Sequence, residues 1–152
     1  MEKKMSLMGV AGKIMLVLLV SLAVTEGLSL YFSPAFRITQ DYGSLAVAAA
    51  AIAAVGFALN LVAALGMLKA HKEGLHATGG LYALFLNPMY AFQLLLTVPG
   101  LLLLFNSWLS LCAVVPAFIA FKVFVKEEEK YLAEKFGAQY ISYREKVLFK
   151  CL

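Results

Sequence analysis

Three consecutive carboxylates, Glu127, Glu128 and Glu129, stand just past a long apolar stretch in a chain of 152 residues. One or two of them can face a ligand that offers hydroxyl or amine donors, or take a proton from it. The plainer reading is a solvated charge run, in which pairs such as Glu127 with Lys130 contribute about 0.3 kcal/mol each. A second polar group interrupts the apolar sequence at GLYALFLNPMY, residues 80–90. Proline suits the first turn of a helix, where its missing N–H would be unpaired anyway. Pro88 therefore leaves Asn87 polar at a helix mouth, near exposed N–H groups that favour an anionic ligand group. Gly79 and Gly80 allow the loop backbone to come close to a ligand. Tyr82 and Tyr90 offer apolar ring faces with polar tips. A capped helix with an aromatic belt would explain Pro88 and the tyrosines, but not the whole spacing.

These residues need elements to position them, and composition says which. Hydrophobic residues make up 62% of the chain and charged residues 14%. A soluble domain of this size needs more polar surface than that. Several windows of about 18 residues carry at most one charge, which is the signature of a membrane span. The expected fold is an all-α integral membrane protein with about four transmembrane helices, at residues 14–32, 45–68, 88–105 and 107–125. A cytoplasmic tail, 126–152, follows them, and the whole of 1–152 reads as a single domain. The N-terminal stretch imitates a signal peptide but runs on past Thr25-Glu26-Gly27, so it reads as an uncleaved first span. SPAFRITQDYG is a loop, and Asn106-Ser107 a tight turn that makes spans three and four a hairpin. Pro99-Gly100 and Pro116 should loosen those helices.

Charge sets the orientation. Lys3, Lys4, Lys13, Lys69, Lys72 and seven basic residues from Lys122 to Lys150 fall on one side, leaving only Arg37 opposite. The positive-inside rule then puts both termini and the 69–87 loop in the cytoplasm. No nucleic-acid partner is implied.

The remaining polar residues have simpler readings. Ala46, Ala50, Ala54 and Ala58, with Gly56 beside them, form a small-residue stripe suited to close helix contact. Glu26 is an acid inside a span, with packing or an interfacial position favoured over a ligand role. Asn60 is explained by an interhelical hydrogen bond. Cys112 and Cys151 are too far apart in sequence for a disulfide framework, and His71 and His76 read as solvated loop histidines, so no metal is expected. In the tail, Leu132, Phe136, Tyr140, Tyr143 and Val147 make one helical stripe, with a break or bend at Gly137. An amphipathic helix of this kind would lie in the cytoplasmic interface.

Taken together, two stretches resemble a known family. TGGLYALFLNPMY (78–90) is similar to T-x-G-x-Y-x-x-x-[RD]-[HN]-P-x-Y of the isoprenylcysteine carboxyl methyltransferase and phospholipid methyltransferase superfamily. EEKYLAEKFGAQYISYREKV (128–147) resembles its second block, E-E-x-x-L followed by F-G-x-x-Y-x-x-Y. The resemblance covers roughly residues 65–150 and implies S-adenosylmethionine as methyl donor at the cytoplasmic membrane face. By position it puts Gly80, Tyr82, Asn87, Pro88 and Tyr90 on one side of that cofactor and Glu128 and Glu129 on the other. Tyr140, Tyr143 and Arg144 would stand near the acceptor, with Glu128, Glu129 and Arg144 as the catalytic set. The acceptor would be an amphiphile: a prenylated cysteine carboxylate or a lipid amine such as phosphatidylethanolamine. Two positions depart from the pattern. Leu86 stands where the family often has arginine, and Phe92 where it commonly has glycine. They are the basis of the alternative, a non-catalytic membrane scaffold or binding protein that retains the fold.

Overall fold

Pro88 opens a helix at the residue where its ring dictates one, with Asn87 as N-cap. In the computed structural model, which describes residues 7–150, six helices follow one another. They are α1 (Leu7–Tyr31), α2 (Tyr42–Lys72), the short α3 (Leu81–Leu84), α4 (Pro88–Leu103), α5 (Trp108–Phe136) and α6 (Ala138–Lys146). Among the described residues there is no strand, only two isolated β-bridges. Lys3, Lys4 and Cys151, used above for orientation and cysteine chemistry, lie outside the described residues.

Three helices, Val10–Tyr31, α2 and α5, are long and apolar enough to cross a membrane, and α4 is a shorter apolar helix. Four spans were expected at comparable length. The difference lies in α4, which starts at Pro88 and ends at Leu103, for about 24 Å at 1.5 Å per residue. By the same rise, α2 is about 46 Å long and α5 about 43 Å, against a hydrocarbon core of about 30 Å. Both therefore overrun the expected spans, and their C-terminal turns project at the same end of the bundle. The outward faces are apolar: Leu30 is 79% exposed and Val47 72%. That surface suits lipid rather than water.

α4 lies at the centre, with α2 along one side and α1 and α5 on the other. Val10, Ile14 and Leu18 of α1, Leu94, Val98 and Leu102 of α4, and Ala113, Ala117, Phe121 and Val125 of α5 form one core. Towards α2 the contact is made by the backbone itself. A Cβ on Gly100 would fall 2.5 Å from the Ala53 nitrogen, and one on Gly56 2.6 Å from the Thr97 nitrogen. The small-residue face is thus Ala49, Ala53, Gly56 and Ala63: of the expected stripe Gly56 packs there, whereas Ala50, Ala54 and Ala58 are exposed. Small residues occur all round this helix, so spacing did not single out the packed face.

Both prolines loosen their helices one turn upstream. Before Pro99, Gln93–Thr97 forms a π turn, with the Val98 N–H on the Gln93 carbonyl and the Thr97 hydroxyl on the Phe92 carbonyl at 3.3 Å. Before Pro116, the Cys112 carbonyl accepts from the Val115 N–H at 3.2 Å, a tighter turn that replaces the bond proline cannot make. Asn60 Nδ2 donates to Gln93 Oε1 at 2.8 Å, the interhelical bond expected of it. Glu26 accepts from the Ser110 hydroxyl, which ties α1 to α5.

At the Arg37 end, Asn106 adopts φ 53° and closes the α4–α5 hairpin where the turn was expected. Its side-chain amide donates to the Thr39 carbonyl at 2.9 Å and accepts from the Thr39 N–H at 3.1 Å. At the opposite end the overrun of α2 and α5 forms a head with α3 and α6. Helix α5 stops at Gly137, whose φ of 54° ends one helix and starts the next. The tail stripe then turns inward. Tyr140, Tyr143 and Val147 are buried with Ala63, Ala77, Tyr82 and Leu86, and Leu132 and Phe136 pack against them. Its apolar side is therefore covered by protein rather than left open to a membrane interface.

Candidate active site

Each residue of a helix turns about 100° from the last, so three neighbouring glutamates must point three ways. Glu127 meets Lys13 of α1 at 3.2 Å, not Lys130, which instead lies 4.0 Å from Glu134. Glu128 turns to α4 and accepts from the Tyr90 hydroxyl at 3.1 Å. Glu129 turns to α6 and pairs with Arg144 at 3.1 Å, its side chain only 15% exposed. The charge run thus joins three different helices, and only its middle member reaches the Asn-Pro-Met-Tyr element. Tyr90 is fixed for that contact by its ring against Phe121 at 5.2 Å.

The tyrosines form the next layer. Tyr143 donates to the Tyr82 carbonyl at 2.8 Å and the Phe85 carbonyl at 3.4 Å, fastening α6 to the segment before Asn87. Burial, reinforced by the nearby charge of Glu128, pushes the Tyr82 hydroxyl up to about 12. Burial and then the charge of Glu129 do the same to Tyr140, also to about 12. Tyr143 is pushed up as well, chiefly by burial. All three stay protonated at neutral pH, and Tyr143 is the one that donates within the fold. Replacing Tyr143 with phenylalanine strands two carbonyls and should lower stability by about 1–2 kcal/mol, read as the melting temperature in detergent.

Of the other site residues, Asn87 is half-buried with no side-chain capping bond, so its amide is not spent on the helix. Pro88 is fully buried, where it sets the start of α4. Gly80 is exposed at φ 61°, a conformation that by itself calls for glycine. A groove of about 700 Å³ between α5 and α6 takes in Glu129, Tyr140 and Arg144. Tyr90, Asn87 and Glu128 are not part of its lining. Leu86 is buried in the head core, and Phe92 packs edge-on against Phe85 at 5.2 Å. Phe85 stacks in turn on Phe149, where the Leu86 N–H bonds the Phe149 carbonyl at 3.2 Å. Of the two departures from the family pattern, Leu86 thus fills the head core and Phe92 backs the Phe85–Phe149 ring contact.

His76, expected in solvent, is half-buried among the rings of Phe136, Tyr140 and Tyr143, with centroids 5.0–5.4 Å away. Those rings come from the far end of the sequence, which is why a lone loop histidine gave no sign of them. Burial lowers its pKa below the ordinary 6.5. The folded state therefore favours neutral His76. Its contribution is complete above 6.5 and is lost as pH falls through that value towards the lower folded pKa. The melting temperature should fall between about pH 7.5 and about pH 5.5, and His76→Phe should flatten that part of the fall. His71 remains exposed at the end of α2. Among the described residues no three His, Cys, Asp or Glu side chains gather as a metal site would require.

Apolar helices of spanning length, with acids and aromatic hydroxyls gathered at one end of the bundle, are the make-up of an integral membrane protein. The phospholipid methyltransferase family model matches residues 46–139, and the chain belongs to that family. The match begins within α2, earlier than the resemblance, and takes in both Asn87-Pro88 and Glu127–Glu129; Tyr140 and Arg144 lie beyond it. No curated protein and no solved structure matches the chain. Family membership implies methyltransferase activity and a membrane setting.

Proposed function

We propose that the chain is an S-adenosylmethionine-dependent methyltransferase that methylates the amine of a membrane lipid. The observation that carries this reading is the Tyr90–Glu128 hydrogen bond, which unites the two motif elements across 38 residues of sequence. A lipid amine is favoured over a prenylcysteine carboxylate by the family to which the chain belongs. The residues suit the donor's polar groups: Glu128 and Glu129 to accept from hydroxyls or an ammonium, and the uncommitted Asn87 amide to bond a carboxylate. Bound there, S-adenosylmethionine supplies an electrophilic methyl group open to in-line displacement. Tyr82 and Tyr90 hold the cofactor side, and Gly80 and Pro88 shape the loop and the helix start. Glu128 takes the proton from the lipid ammonium so that its nitrogen carries a free pair. Tyr140 and Tyr143 bound the acceptor, and Arg144 holds Glu129 in place. Most of the acceleration comes from alignment and from excluding water.

The topology that fits is four spans, with α4 as the short third one, in a single domain over 1–152. Both termini are then cytoplasmic, because ten of the eleven basic residues within 7–150 fall on the head side and only Arg37 lies opposite. Helix α6 serves as the cytoplasmic C-terminal helix. The test incubates membranes bearing the full chain with methyl-labelled donor and separates lipid from protein. Label in an amine-bearing lipid is the expected result. Label in protein carboxylates would shift the acceptor to prenylcysteine. No label, with no saturable binding of S-adenosylhomocysteine, would leave the scaffold reading.

A further inference from the structure

The groove between the C-terminal part of α5 and α6 carries more charge than methyl transfer requires. Lys122, Lys126, Lys130, Arg144 and Lys150 line it, against two acids, Glu129 and Glu145. Glu129 is already neutralised by Arg144 at 3.1 Å. Lys126 and Lys150 are exposed, so their ammonium groups can turn to an anion at the groove mouth. In its wall stands Tyr140, 2% exposed, whose hydroxyl is buried and has no hydrogen-bond partner among the described residues. A buried donor left unpaired is costly, and an acceptor oxygen reaching the wall would satisfy it. The rim also has an apolar side, Val125 and Ile141. Cations over apolar side chains, at the level where α5 leaves the bilayer, match an anionic headgroup whose acyl chains remain in the membrane.

We propose that this groove binds the phosphate of an anionic phospholipid at the membrane surface. The groove shares Glu129, Tyr140 and Arg144 with the acceptor side of the proposed reaction but not the Tyr90–Glu128 contact, and its binding is measured without any methyl donor present, so that it can fail or hold independently of that reading. Lys126 and Lys150 supply the attraction, Arg144 a planar pair of donors beside Glu129, and Tyr140 the buried hydroxyl, while Lys130 is engaged by Glu134.

The experiment uses the purified full chain in neutral detergent, titrated with dioctanoyl phosphatidylglycerol, dioctanoyl phosphatidylcholine or inorganic phosphate. Retained lipid is counted by native mass spectrometry, and melting temperature is followed in parallel. Saturable retention of phosphatidylglycerol over phosphatidylcholine is expected. Lys126→Gln with Lys150→Gln should weaken it about 25-fold, at about fivefold for each cation near an anionic surface, without moving the lipid-free melting temperature. Lys146→Gln, outside the groove lining, should leave retention unchanged. Equal retention of both lipids would overturn the proposal. So would an unaffected double variant, an equal loss in Lys146→Gln, or saturation by inorganic phosphate at the same concentration as the lipid.

Discussion

Glu128→Gln is expected to lower kcat/KM for methyl transfer by about a hundredfold, the low end of what a general base contributes. Glutamine keeps the shape, and its carbonyl still accepts from Tyr90, so the fold should be retained. What is lost is the charge and the place for a proton. Tyr90→Phe leaves the carboxylate but frees it to move, and should cost about tenfold. A double-mutant cycle measures the link, since a hydrogen bond to a charged group is worth about 1.5–3 kcal/mol. The two substitutions should therefore be less than additive. Full additivity would mean that the 3.1 Å contact is incidental to the chemistry. Glu127→Gln is the control, because that side chain points to Lys13 and away from α4.

The second large effect concerns stability. A Cβ at position 100 would stand 2.5 Å from the Ala53 nitrogen, 2.9 Å from its Cα and 3.0 Å from the Ala49 carbonyl oxygen. All three are backbone atoms of α2, so no side chain can swing aside, and the helices must separate. Overpacking of this kind costs about 3 kcal/mol. The better helix propensity of alanine returns about 1 kcal/mol of that. Gly100→Ala should thus lower stability by about 2 kcal/mol, and Gly56→Ala by a similar amount. Gly12→Ala meets nothing within 4 Å and should be neutral or slightly stabilising. Thermal unfolding in detergent, followed by circular dichroism, ranks the three. If Gly100→Ala melted with the parent, close contact between α2 and α4 would be ruled out.

Features governed by local backbone chemistry were legible in the sequence. Pro88 marked the first residue of α4, Asn106 the hairpin turn, Gly137 the break in the tail, and Pro99 and Pro116 the loosened turns. The stripe from Leu132 to Val147 was also legible, because its spacing is helical on both sides of the break. Its partner was not. An apolar stripe packs on lipid or on protein with equal ease, and the deciding residues, Ala63, Ala77 and Tyr82, lie fifty or more positions away. Of the packed face of α2 only Gly56 was singled out: alanine and other apolar residues surround that helix, so no periodic contrast distinguishes Ala49 and Ala53 from Ala50 and Ala54. At the site, sequence named Glu128 and Tyr90 through the resemblance. It gave no hint that Glu127 and Glu129 are claimed by other helices, since that depends on where α1 and α6 finally lie.

The molecule has two interiors, one among α1, α4 and α5 and the other in the head around Tyr82, Tyr140 and Tyr143. On the proposed topology, water borders only the second. Among lipid chains the expulsion of water gives helices no reason to associate, so the first interior rests on contact geometry and polar cross-links. The head rests on the ordinary hydrophobic effect. Urea acts on the latter and leaves a bundle immersed in detergent largely untouched, so a moderate dose would dissolve the arrangement around Glu129 while the spanning rods stayed assembled. Catalytic competence and helical content would then fade at different denaturant concentrations, making this small chain two cooperative units stacked end to end.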